Sequence, residues 1–106
     1  MLRSQGLEIA QKAGIDQVTT SATGANWVQL TDRSCNQVTI YNDTGAALRV
    51  RYCNNAGVAI PGDTYLKIPD GIAQPLRGLS NSKQLQVQRD DTANTQVTAK
   101  FTYESV

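Results

Sequence analysis

Residues 35–53 read CNQVTIYNDTGAALRVRYC, and the way this stretch pairs decides the fold. Apolar residues alternate on either side of a turn, with Val38 and Ile40 before it and Leu48, Val50 and Tyr52 after it. Alternation with a period of two marks strands that bury one face. The segment between them predicts a hairpin. A loop of Asp43, Thr44 and Gly45 sets glycine in the left-handed third position, a common hairpin form. In that register Ile40 faces Leu48 and Val38 faces Val50. A slip of one residue would set Ile40 against Arg49, which a buried face does not allow.

The same count sets Cys35 opposite Cys53. It places both away from the core, beside Gln37, Thr39, Tyr41, Arg49 and Arg51. If the pair is of the non-hydrogen-bonded kind, its Cα atoms lie roughly 4.5 Å apart, a separation that admits a disulfide. Synthesis in a cytoplasm favours two reduced thiols instead. The pair is therefore either a bridge or two facing thiols. Zinc would need further ligands. The chain has no histidine and only these two cysteines, so no metal is expected.

Composition narrows the function. A chain of 106 residues reads as one domain. Ten basic residues against nine acidic ones give a formal charge of +1, whereas a nucleic-acid binder working through bulk charge shows a clear basic excess. The lack of histidine removes the commonest general base and every Ser–His or Cys–His arrangement. Ser34, Ser80 and Ser82 thus have no partner base, and Asp90 and Asp91 read as turn formers. No apolar run reaches membrane-spanning length. The opening MLRSQGLEIA lacks the apolar stretch of a signal peptide. The expectation is a non-enzymatic protein made in a cytoplasm, with no cofactor, small-molecule substrate, nucleic acid or membrane.

Outside residues 35–53 the pattern continues as short strands: NWVQL, VAI, TYLKI, IAQPLRG, KQLQVQR and TQVTAKFTYESV. KQLQVQR turns Leu85 and Val87 inward and its glutamines outward. DDTAN at 90–94 predicts a second hairpin like the first. Pro75 suits an edge strand, because it cannot donate to a ladder. Seven or eight strands with turns every ten or so residues predict an all-β fold, an antiparallel β-sandwich of jelly-roll or immunoglobulin-like type, over residues 27–106. Residues 1–26 read as an N-terminal arm and linker. One helical turn around Leu7–Ala13 would end at Gly14, and TTSATGAN is a small-polar linker. Leu2, Leu7, Ile9, Ile15 and Val18 are the arm residues expected to dock on a partner. Arg49 and Arg51 form an outer basic face, either a site for an anionic partner or glycan or a plain solvated face.

At VTIYNDTGAALRV, YLKIPDG, RGLSNSKQLQVQRDD and QVTAKFTYE the chain resembles the small all-β virion proteins of tailed bacteriophages. These are the capsid decoration or cement proteins and the related head-fibre and tail-tip domains. The resemblance spans about residues 27–106. It lies in strands rich in asparagine and threonine and in the Asp-Thr turns that join them, not in a single diagnostic motif. It implies a β-sandwich on the outer capsid surface, bridging neighbouring copies of the major capsid protein. Such proteins act as dimers or trimers and anchor through a terminal arm. The implied location is the virion. The alternative is a carbohydrate- or receptor-binding domain of a tail fibre or baseplate, for which Trp27, Tyr41 and Tyr65 are the available outward aromatics.

Overall fold

The computed structural model describes residues 12–60 and 64–105. Among them are eight strands: β1 (Lys12–Thr19), β2 (Val28–Gln29), β3 (Gln37–Tyr41), β4 (Leu48–Tyr52), β5 (Leu66–Ile68), β6 (Ala73–Arg77), β7 (Leu85–Arg89) and β8 (Thr98–Ser105). A single 3-10 turn, Ser82–Gln84, is capped by Asn81 and leads into β7.

The strands form two antiparallel sheets, sheet A in the order β1-β8-β3-β6 and sheet B in the order β2-β7-β4-β5. Strand 1 pairs with 8, 2 with 7, 3 with 6 and 4 with 5. That is one long antiparallel ribbon folded at β4–β5 and wrapped around itself. The pairings of β3 with β8 and of β4 with β7 complete the two sheets. This topology is the jelly roll.

Residues 35–53 therefore do not form a hairpin. β3 lies in sheet A and β4 in sheet B. Val38 and Ile40 still meet Leu48 and Val50, but across the core rather than along one ladder, and none is more than 1% exposed. The DDTAN segment behaves alike, since it carries the chain from β7 in sheet B to β8 in sheet A. Period two cannot separate the two cases. It says that one face is buried, not whether the next strand buries its face beside the first or opposite it.

What separates them is Asn42. Its side chain is 1% exposed. The Nδ2 group donates to the carbonyls of Ala46 and Ile68, each at 2.8 Å, and Oδ1 accepts from the Thr44 hydroxyl at 2.7 Å. The Asn42 backbone closes on the segment after β5, with N donating to Ile72 O and O accepting from Gly71 N. Gly45 does adopt the left-handed conformation expected of it (φ 87°). Its amide donates to the Asp70 carboxylate at 2.8 Å, so the corner is tied to the β5–β6 loop rather than closed on itself.

The sheet also begins earlier than residue 27. Lys12–Thr19 pairs with β8 over its whole length, from Lys12↔Ser105 to Thr19↔Thr98. Gly14 does not end a helix there. It sits opposite Tyr103, and a Cβ at this position would collide with the phenol ring, so glycine makes room for the tyrosine. VAI contributes only the isolated bridge Cys53↔Ala59. Pro75 lies in β6, an edge strand of sheet A, as its missing donor requires.

The core between the sheets is built from Phe101, Ile40, Leu48, Ile68, Leu85, Val38, Val50 and Val87. Each such side chain contributes about 1.5–3 kcal/mol on burial.

Candidate interaction surfaces

The outer faces of the two sheets are two surfaces that this fold can offer a partner, and they differ in chemistry. The outer face of sheet B is closed over. Arg49 donates from Nε to Asp90 Oδ1 at 2.9 Å and from Nη1 to Gln88 Oε1 at 3.0 Å. Arg51 Nε donates to Gln86 Oε1 at 2.8 Å. The two glutamines use their amide nitrogens on covering loops, Gln88 on Ala25 O at 2.6 Å and Gln86 on Gly57 O at 2.8 Å. Their parity is the expected one, yet they are buried, because these loops lie above them.

The guanidiniums also stack on aromatic rings. Arg51 lies 4.1 Å from the Trp27 ring centroid and Arg49 lies 4.6 Å from that of Tyr65. The two rings are 6.2 Å apart. Lys67 completes the cluster at 3.3 Å from Asp90. The Arg49 hydrogen bond, joined by that of Lys67, holds the Asp90 carboxyl below its ordinary range. Arg49 and Arg51 thus do share an outer face, as their parity predicts. They serve there as cross-links, each bonded to the sheet and laid on a ring.

The outer face of sheet A is open. Three rows of its side chains cross all four strands, Ala13–Glu104–Gln37–Arg77, then Ile15–Thr102–Thr39–Pro75, then Gln17–Lys100–Tyr41–Ala73, and Thr19–Thr98 adds a shorter row on β1 and β8. Ile15 is 73% exposed and Tyr41 46% exposed. Shallow grooves of about 390 and 460 Å³ run beside these two residues. Of the residues expected to dock, Ile15 lies on this face, whereas Val18 points into the core and belongs to the sandwich itself. Leu2, Leu7 and Ile9 lie outside the described residues. Tyr41 is on sheet A, whereas Trp27 and Tyr65 flank sheet B, so the three outward aromatics do not form one platform.

The cysteines are not bridged, and both are buried. Cys35 and Cys53 are free thiols, each 2% exposed. Parity fails at Cys35, which joins the core cluster, because the β3 ladder stops short of it, whereas Cys53 keeps the Arg51 side of sheet B and is buried there beside Gln29, its Sγ donating to Lys83 O at 3.2 Å. β3 begins at Gln37, and Cys35 N donates to Ser80 O. β4 ends at Tyr52, and Cys53 N donates to Gln84 O. Both residues thus lean on the segment around the Ser82–Gln84 turn, which sequence spacing could not show. Burial raises the pKa of both thiols, and a protonated thiol is a poor nucleophile. Neither cysteine is expected to react with a thiol reagent in the native protein, and both are expected to react in denaturant. Electrophoretic mobility should be the same with and without reductant. A reductant-dependent shift of the monomer band would overturn this assignment.

The paired aspartates of the DDT segment are structural. Asp91 accepts from Arg89 and from the Ala93 amide, and these bonds bring its carboxyl down to about 2. Among the described residues no group of three or more His, Cys, Asp or Glu side chains is placed to hold a metal ion.

No protein-family model matches the chain, and no curated protein matches it. Among solved structures, a chain of the structure described as "Bacillus endospore appendages form a novel family of disulfide-linked pili" is similar at 11% identity and a TM-score of 0.43, over 89% of this chain and 86% of that one. A likeness of that size carries no functional argument.

Proposed function

We propose that this protein is a non-enzymatic virion structural protein that binds the outer surface of a capsid and bridges neighbouring capsid subunits. The observation that carries the reading is the asymmetry of the two outer faces. One is closed by its own loops and ion pairs, and the other presents Ile15 and Tyr41 to solution on a four-stranded sheet. Residues 1–11, with Leu2, Leu7 and Ile9, run directly into β1, an edge strand of that open sheet. Arm and open face together would form one adhesive surface. Copies placed around a capsid would compound weak contacts into firm attachment.

Glycan recognition is the less favoured reading. The Trp27 and Tyr65 rings each carry a guanidinium in stacking range, where a sugar would compete with it. Co-sedimentation with capsid shells lacking the protein tests the proposal. Full-length protein is expected to pellet with the shells, and a chain beginning at residue 12 or carrying Ile15→Glu is expected to lose most of that binding. Undiminished binding by both variants would overturn the reading.

A further inference from the structure

We propose that the open face of sheet A is a self-association surface on which a second copy of this chain packs face to face. It goes beyond the proposed capsid role: a face packed on a second copy is not free to meet a capsid, so in the unassembled protein the two occupants compete for it. The test contains no capsid, so either proposal can fail without the other.

Most charges of the fold are already partnered within it. The ion pairs among the described residues are Arg33–Asp16, Arg49–Asp90, Lys67–Asp90, Lys83–Asp32 and Arg89–Asp91. None of these involves the charged side chains on the outer face of sheet A, namely Lys100, Glu104 and Arg77, nor Asp43 just beyond Tyr41. The face that is open is also the face whose charges make no ion pair among the described residues.

Those charges are arranged with a definite symmetry. Take the uncharged row Ile15–Thr102–Thr39–Pro75 as a two-fold axis lying in the plane of contact. Rotation about it keeps each strand over its own copy and exchanges the two flanking rows. Lys100 on β8 then meets Glu104 of the second copy, and Glu104 meets its Lys100, which makes two opposite-charge contacts from one operation. Asp43 is carried toward Arg77 of the second copy by the same rotation. Ile15 meets Ile15 at the edge of the contact, where both would leave water. Within one copy Lys100 and Glu104 are four residues apart on a strand, roughly 13 Å, too far to pair with each other. A two-fold contact requires that a patch be complementary to itself, and this pattern is.

The area fits a weak dimer. Two strands of eight residues and two of five, at about 3.3 Å per residue and about 4.8 Å between strands, cover about 400 Å² per copy. The pair therefore buries about 800–1,000 Å², at the low end for specific contacts. Association is expected in the micromolar range and is expected to weaken with added salt.

The experiment is sedimentation equilibrium of the full-length chain from low micromolar to near-millimolar concentration, on wild type, Lys100→Glu, Glu104→Lys, the double variant carrying both, and Ile15→Asp. Circular dichroism and melting confirm that each variant is folded. Each single charge reversal is expected to weaken dimerisation about tenfold. The double variant, and an equimolar mixture of the two single variants, are expected to recover it to within about threefold. Ile15→Asp is expected to leave only monomer. A wild type that stays monomeric throughout, a dimer indifferent to Lys100→Glu, or a double variant as weak as the single ones would each overturn the proposal.

Discussion

A chain starting at residue 21 is expected not to fold, whereas one starting at residue 12 is expected to melt cooperatively, close to the full-length protein. The difference is β1. Its eight residues pair with β8 from end to end, and Val18 is part of the core cluster. Thr20 extends the seam. Its amide donates to Val97 O at 2.9 Å, its hydroxyl accepts from Val97 N at 3.0 Å, and its carbonyl accepts from Gln96. Gly24 N then donates to Asn94 Oδ1 at 2.9 Å. Removing the strand strips β8 of its outer neighbour and uncovers the flank of Phe101, the largest of the fully buried side chains. Domains of this size are stable by only about 5–15 kcal/mol, and a whole strand exceeds that margin. The check is far-ultraviolet circular dichroism with thermal melting on both truncations. A sharp melt from the shorter chain would show that β1 is an attached arm rather than a structural strand.

Asn42→Ala is expected to lower the melting temperature by roughly 10–20 °C, the shift that follows from a loss of about 3 kcal/mol in a domain of this size. The substitution leaves the carbonyls of Ala46 and Ile68 and the Thr44 hydroxyl without their side-chain partner in a closed corner. Asn42→Asp is expected to do no better at neutral pH. A carboxylate has nearly the same shape but cannot donate, and it would face two carbonyl oxygens while buried. Thr44→Ala, which removes only the hydroxyl's contacts to Asn42 and Ala46, should cost much less. If Asn42→Asp melts with the wild type, the donated hydrogen bonds are not what holds this corner.

Part of this molecule was legible in its residues. Alternation at Val38–Ile40, Leu48–Val50, Leu85–Val87 and Ala99–Phe101 identified strands and their inward faces, and all eight of these side chains are buried. Gly45 was readable as a left-handed residue and Pro75 as an edge residue, since each rests on a backbone property that local sequence carries. The eight-residue strand β1 was hidden. Gly14 looks like a stop signal until Tyr103 is seen in the space that its missing side chain leaves.

An all-β sandwich, its inward residues and a near-zero formal charge follow from side-chain periodicity and charge count alone. Long-range packing was needed to show that 35–53 is a crossover between sheets, that Cys35 and Cys53 are buried free thiols, and that one basic face is locked while the other sheet face stands open. The reason is physical. A period of two specifies which side of a strand is buried, but the partner strand is chosen by contacts far along the chain. Here these are Asn42 with Ile68, β3 with β8, and β4 with β7.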